Sequence, residues 1–183
     1  MYFNTRELAG ISISASLWAL INAIVGPAFW NMTHLPILCD TLSVAALLFA
    51  VWFVRKPGAL TLVGAVATVI SLALNPAGLQ FLGFTVASVV LDLLFISARV
   101  MKVRENGNLW SAILVLCSFA SMAVAGVLIG SFFMPPAVIS GAYGGLALFA
   151  ALHGAGGVIG GILGIVIVGG LERRALPLSI HPQ

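Results

Sequence analysis

The residues of this sequence that could take part in chemistry are few, and most lie in or beside long apolar segments. Trp30, Asn31 and His34 share one short polar stretch, Asp40 follows it closely, and His153 lies deep within another apolar run. Together their ring, amide, imidazole and carboxylate groups could bind a small molecule, and we take them as candidate substrate contacts. Simpler roles are also open, since Trp is common at membrane interfaces and loop histidines are often merely solvated.

His153 is the ionisable group furthest from any loop. It follows the start of its run by roughly nine residues, or ~14 Å along a helix. At that depth it must face protein or water rather than lipid, either as an internal hydrogen-bond partner or as a substrate contact. The glycines that follow it allow close helix packing or leave room for a ligand: Gly154, Gly156, Gly157, Gly160, Gly161 and Gly164.

The evidence for a functional role is weaker for the other polar residues of the apolar runs. Asp92 is expected to pair with Arg55, Lys56 or Arg99, with a proton or ion relay as the alternative. Four polar groups fall toward the same side as the Trp30 stretch and could face a cavity there: Asn22, Asn75, Gln80 and Tyr143.

Several kinds of site are missing from the sequence. It has no GxxxxGK[ST] loop, so the chain is not expected to use ATP itself. It has no HExxH, no GxSxG and no spacing typical of a catalytic triad, so we expect neither an enzyme nor a cofactor. The spacing of His34, Cys39, Asp40 and His153 matches no standard metal site. Cys39 and Cys117 are expected to be small buried apolar residues.

The elements that position these residues follow from composition. The chain has 183 residues, of which 61% are hydrophobic and 7% charged. Soluble domains typically carry about 25% charged residues, so this composition predicts an integral membrane protein. Eight Lys and Arg residues are too few for a nucleic-acid-binding surface.

Six apolar runs, each ended by a turn signal or a charge cluster, predict an all-α bundle of six transmembrane helices in a single membrane domain. The runs are continuously apolar, which excludes the alternating strands of a barrel. They cover 8–25, 37–54, 59–74, 79–98, 109–133 and 144–171.

The basic residues predict the orientation of this bundle. All eight flank the same side of a six-helix arrangement: Arg6, Arg55, Lys56, Arg99, Lys102, Arg104, Arg173 and Arg174. The positive-inside rule then places both termini in the cytoplasm, with the protein in the cell membrane.

Small residues recur every four positions in the first run, at Ala15, Ala19 and Ala23. Positions four apart share one helix face, and small side chains there let another helix approach closely. This face either packs within the bundle or docks a separate subunit.

The chain resembles the substrate-binding (S) component of an energy-coupling factor (ECF) transporter. The resemblance lies in six predicted helices with inward termini, the alanine pattern, the aromatic and proline-containing stretch Gly26–Pro36, and the turn from Lys56 to Gly64. Nickel and cobalt members of that family begin with a His-containing motif, whereas this chain begins Met1-Tyr2-Phe3-Asn4. The difference favours an organic substrate.

The resemblance implies that the protein captures a vitamin or related micronutrient outside the cell. A membrane scaffold (T) subunit would dock on Ala15, Ala19 and Ala23, and cytoplasmic ATPase subunits would drive release. The stretch after the first helix would act as a lid, with Trp30 and Asp40 among the residues near the pocket. A non-transport anchor or assembly subunit is one alternative; an ion-coupled carrier using Asp92 and His153 is another.

Overall fold

The computed structural model describes residues 2–100 and 107–174, and these parts of the chain are almost entirely helical. Within these residues, one 3₁₀ turn, Leu79–Phe81, leads into the fourth of seven α-helices. The helices are α1 Thr5–Thr33, α2 Ile37–Phe53, α3 Ala59–Leu74, α4 Leu82–Val100, α5 Gly107–Phe132, α6 Pro136–Ala142 and α7 Leu146–Arg174.

The first helix differs most from its prediction. We expected it to end at Gly26-Pro27, but α1 continues through Pro27 to Thr33. Proline is tolerated inside membrane helices because neighbouring groups compensate the backbone carbonyl that it frees. The predicted outer loop is thereby reduced to His34–Pro36, and His34 ends α1 in the left-handed conformation with φ 54°.

The other predicted helices agree more closely with the structure. The bounds of α2 and α3 fall within one residue of those expected. Between α5 and α7, where we expected a loop, the short helix α6 begins directly after Pro135, with Pro136 in its first turn, a position where proline needs no N–H partner.

The helices are those of a membrane-embedded protein. By length and composition, four segments in the described part of the chain are long and apolar enough to cross a bilayer: α1, α4 with its preceding 3₁₀ turn, α5 and α7. The helices α2 and α3 are apolar but shorter, with 17 and 16 residues. Large apolar side chains such as Ile24 (75% exposed) and Val69 (67%) face outward, as a lipid-facing surface requires.

The six long helices form a closed ring in the order α1, α2, α7, α5, α4, α3. The core inside this ring contains Trp18, which stacks on Phe84 with ring centroids 4.0 Å apart. The Trp18 Nε1–H donates to Ser43 Oγ at 2.7 Å, so the indole has both a packing and a hydrogen-bond partner.

Glycines give α7 two faces that neighbouring helices can approach closely. On one face, a Cβ at Gly160 would lie 2.6 Å from the Thr41 carbonyl oxygen of α2. On the other, a Cβ at Gly157 would lie 2.5 Å from the Ser118 carbonyl oxygen of α5. Side chains at these positions would therefore hold α2 and α5 away from α7.

The alanines of α1 divide between the interior and the surface. Ala15 and Ala19 have no exposed area and lie in the bundle core, whereas Ala23 is exposed. The expectation that Ala15 and Ala19 form a docking face is therefore corrected. Their lack of side-chain bulk lets α1 pack against its own bundle.

One end of the bundle, here called the basic end, carries Arg6, Arg55, Lys56 and Arg173. There Lys56 Nζ lies 2.8 Å from Glu7 Oε2 and donates to the Tyr2 carbonyl at 2.8 Å. Asn4 and Glu7 also form a reciprocal capping box at the start of α1. These contacts attach the beginning of α1 to the turn between α2 and α3.

We predict that Gly160→Ala destabilises the protein and that Gly170→Ala does not. The Cβ at position 160 would meet backbone atoms of Thr41, which cannot rotate away, whereas position 170 has nothing within 4 Å. Overpacking of this kind typically costs about 1–3 kcal/mol. Thermal unfolding in detergent, followed by tryptophan fluorescence, measures the difference. Equal midpoints for the two variants would contradict the close α2–α7 contact.

Candidate functional site

A cavity of about 650 Å³ lies at the end of the bundle opposite the basic end. Trp30, Thr33 and His34 line it from the end of α1, and Tyr143 and Leu152 line it from the α6–α7 region. Two of the predicted site residues, Trp30 and His34, therefore share the wall of one cavity. Asn31 is exposed, and the described wall of the cavity does not include it.

A hydrogen bond between distant parts of the chain braces this cavity. Tyr143 Oη donates to the His34 carbonyl at 2.6 Å. Burial raises the pKa of Tyr143, so its hydroxyl stays protonated and able to donate at neutral pH. Gly144 and Gly145, with φ values of 68° and 114°, then turn the chain into α7.

The other two predicted site residues, Asp40 and His153, meet inside the bundle. Asp40 is the fourth residue of α2, and His153 is the eighth residue of α7. Asp40 Oδ2 lies 2.9 Å from His153 Nδ1, with side-chain exposures of 7% and 5%. Their approach depends on Gly156, where a Cβ would lie 2.7 Å from the Asp40 Cβ.

This contact leaves buried polar atoms without good partners. Despite the short distance, neither Asp40 Oδ2 nor His153 Nδ1 has an aligned hydrogen bond, and none of the described residues bonds to His153 Nε2. A buried polar atom without a partner typically costs about 1–3 kcal/mol. Such atoms are rare in folded proteins and call for an explanation, for which a role in function is one.

The imidazole of His153 fits between α2 and α5 because α5 has a glycine opposite it. A Cβ at Gly126 would lie 2.9 Å from both Cβ and Cδ2 of His153. On its own helix, His153 packs edge-to-face against Phe149, with ring centroids 4.8 Å apart. The imidazole is thus enclosed by a carboxylate, a bare stretch of backbone and one aromatic ring.

Phe149 contacts both this pair and the wall of the cavity. Its ring lies 4.8 Å from the ring of Tyr143, a cavity wall residue, as well as 4.8 Å from that of His153. No sequence pattern distinguishes Phe149, because one phenylalanine in an apolar run looks like any other core residue. Tyr143 was among the polar groups expected near this side.

Asp92 lies elsewhere and has a different partner from those expected. Its Oδ2 accepts hydrogen bonds from the Thr61 backbone N–H at 3.2 Å and from Thr61 Oγ1 at 3.0 Å. Lys56 pairs with Glu7, and Arg55 approaches Glu172 at 3.7 Å. The expected ion pair of Asp92 with Lys56 or Arg55 is thus replaced by a bond between α3 and α4, and the Arg99 side chain is outside the described residues.

A metal site requires at least three ligating side chains that meet in the fold. Within residues 2–100 and 107–174, no three His, Cys, Asp or Glu side chains come together in a way that could hold a metal ion. Cys39 and Cys117 are both unpaired thiols and partly buried.

No model of a known protein family, no curated protein and no solved structure matches the chain. Function must therefore be argued from the chemistry of the site. That chemistry consists of an aromatic-walled cavity and, beside one phenylalanine ring, a buried carboxylate–imidazole pair.

We predict that Asp40 and His153 are energetically coupled. In a double-mutant cycle with Asp40→Asn and His153→Gln, contacting residues typically show interaction free energies of about 0.5–3 kcal/mol. The measurement is the free energy of unfolding in detergent of the native protein, both single variants and the double variant. As a matched control, the cycle of Asp92→Asn with His153→Gln is expected to be additive. Additive effects for the Asp40 cycle would contradict the contact.

Proposed function

We propose that this protein is the substrate-capture subunit of an ATP-driven membrane importer of the ECF type, acting on a vitamin or related small organic micronutrient. The observation that carries the proposal is the cavity of about 650 Å³ at the end of the bundle opposite the basic residues. Ligand sites for small molecules typically have volumes of about 300–1,000 Å³ and mostly apolar walls with a few polar groups.

The orientation we propose follows from the positive-inside rule. Six helices cross the membrane, with the shorter α2 and α3 at about 24–26 Å still near the lower limit for a span. The basic end then faces the cytoplasm together with both termini. The cavity opens on the outer side, where a capture subunit meets its substrate.

The proposed partners are a membrane scaffold subunit and cytoplasmic ATPase subunits, because the sequence has no nucleotide-binding loop of its own. Since Ala15 and Ala19 are buried, the docking surface on α1 must be its outward face. That face carries Ile13, Leu17 and Ile24, which are 56%, 47% and 75% exposed.

An ion-coupled carrier built on Asp92 and His153 has less support. The two groups have separate partners, Thr61 for Asp92 and Asp40 for His153. A relay between them would need further polar groups along the way. The anchor or assembly subunit remains the alternative that the following test addresses.

We predict that a water-soluble vitamin or vitamin precursor raises the unfolding temperature of the detergent-purified protein. A ligand that binds only the folded state stabilises it by about 2.7 kcal/mol at 100 times its dissociation constant. The measurement is a thermal-shift screen against a panel of these compounds.

Two tryptophan variants locate the binding. Trp30→Phe is expected to weaken the shift because Trp30 lines the cavity. Trp52→Phe is the matched control, since Trp52 lines a separate space of about 340 Å³ near Arg55 at the basic end. If folded protein gives no shift with any compound, the anchor or assembly subunit becomes the better explanation.

A further inference from the structure

The nitrogen His153 Nε2 is one of the buried polar atoms that lack a hydrogen-bond partner among the described residues, as do Ser14 Oγ and Ser71 Oγ. Nε2 has less than 1 Å² of exposed area. The whole residue is 4% exposed. A buried histidine normally has both ring nitrogens accounted for, since each unpaired one costs desolvation free energy.

Asp40 determines which partner Nε2 needs. The carboxylate oxygen Oδ2 lies 2.9 Å from Nδ1 and favours the tautomer that carries its proton there. Carboxylates position histidines in this way when the other ring nitrogen has to act as a ligand or an acceptor. The remaining nitrogen, Nε2, then presents a lone pair and requires an N–H or O–H donor.

A molecule in the cavity is one side chain away from this acceptor. Leu152, the residue before His153, is part of the cavity wall, and the Phe149 ring lies between Tyr143 and His153. Contact between a ligand and the imidazole therefore requires that the Phe149 ring, which is 1% exposed and packs on His153, be displaced. On the α5 side, Gly126 places only backbone beside the imidazole.

The surroundings also select the chemical class of the donor. In the cavity wall, Trp30 and Tyr143 offer aromatic rings that suit a flat aromatic molecule. No Lys or Arg occurs in the described cavity wall, and the Asp40 carboxylate lies behind the imidazole. An anionic substrate would therefore lack a positive partner and be repelled by Asp40.

We infer that His153, positioned by Asp40, is the hydrogen-bond acceptor that recognises the substrate, and that the substrate is a flat nitrogen heterocycle with a ring N–H donor and no carboxylate. This inference rests on the proposed function for its biological meaning, but the binding itself can be measured separately.

The test uses three small probes on the full-length protein labelled with ¹⁵N-histidine. Benzimidazole has a ring N–H, 1-methylbenzimidazole has the same fused rings with a methyl group in place of that hydrogen, and benzoate is a flat anion. We expect benzimidazole to move the His153 Nε2 resonance and to bind about tenfold more tightly than its methylated analogue, the usual effect of one well-placed hydrogen bond. Benzoate is expected to leave this resonance unchanged.

Variants separate recognition from structure. His153→Phe is expected to remove the difference between the two benzimidazoles, leaving similar affinities. Asp40→Asn is expected to change the ¹⁵N signature of His153 from one tautomer to a mixture and to weaken benzimidazole binding. A purely structural role for Asp40 would alter stability without changing the tautomer. Trp52→Phe serves as the control, because Trp52 lines a separate space near Arg55 at the basic end.

Equal affinities of the two benzimidazoles for the native protein, or no change at His153 with either, would overturn the inference. This comparison needs no variant, so it holds even if a substitution prevents folding. A vitamin that binds native protein and His153→Phe equally well would overturn the inference while supporting the proposed function. Selective benzimidazole binding without uptake in a reconstituted importer would support the inference and overturn the proposed function.

Discussion

The close approach of α2 and α5 to α7 governs how this bundle packs. Lipid tails are as apolar as leucine side chains, so apolar burial alone does not hold membrane helices together. Contact has to come from surfaces that fit closely, and Gly157 and Gly160 give α7 such surfaces on two faces. The same closeness brings Asp40 within 2.9 Å of His153. Packing and the candidate site therefore have one physical origin.

A helix so rich in glycine would be weak in water, where each glycine costs about 1 kcal/mol relative to alanine. In a bilayer this penalty matters less, because an unfolded backbone would leave its polar groups without partners. The Thr41 Oγ1–H also donates to the Gly156 carbonyl at 3.2 Å, a bond between helices that a bulkier residue at 156 would prevent. In a membrane, α7 can therefore contain many glycines and remain helical, and these glycines allow close contact with its neighbours.

Local sequence patterns predicted the bounds of several helices. The features that they missed depend on contacts between residues far apart in the sequence. Apolar run length and turn signals placed α2 and α3 correctly, because both are local properties. The same rule failed at Pro27, since a proline that stops a helix in water can be accommodated in a membrane. Spacing put Ala15 and Ala19 on one face but could not tell which neighbour covers it. The chemistry of His34 and Asp40 made them candidate site residues. The bond of Tyr143 to His34 and the pairing of Asp40 with His153 could not be predicted, because no local sequence pattern shows which distant residues meet.

The two ends of the bundle are held together by different means, and this difference favours binding at one of them. At the basic end, Lys56, Glu7 and Tyr2 form several mutually supporting contacts between α1 and the α2–α3 turn. At the opposite end, the three-residue link after α1 is held to the α6–α7 turn by the hydrogen bond from Tyr143. A region with few such contacts opens at lower free energy than its surroundings. Under the proposed function, a ligand entering beside Tyr143 would disturb one hydrogen bond and one aromatic ring, while the glycine contacts of α7 would keep His153 in place.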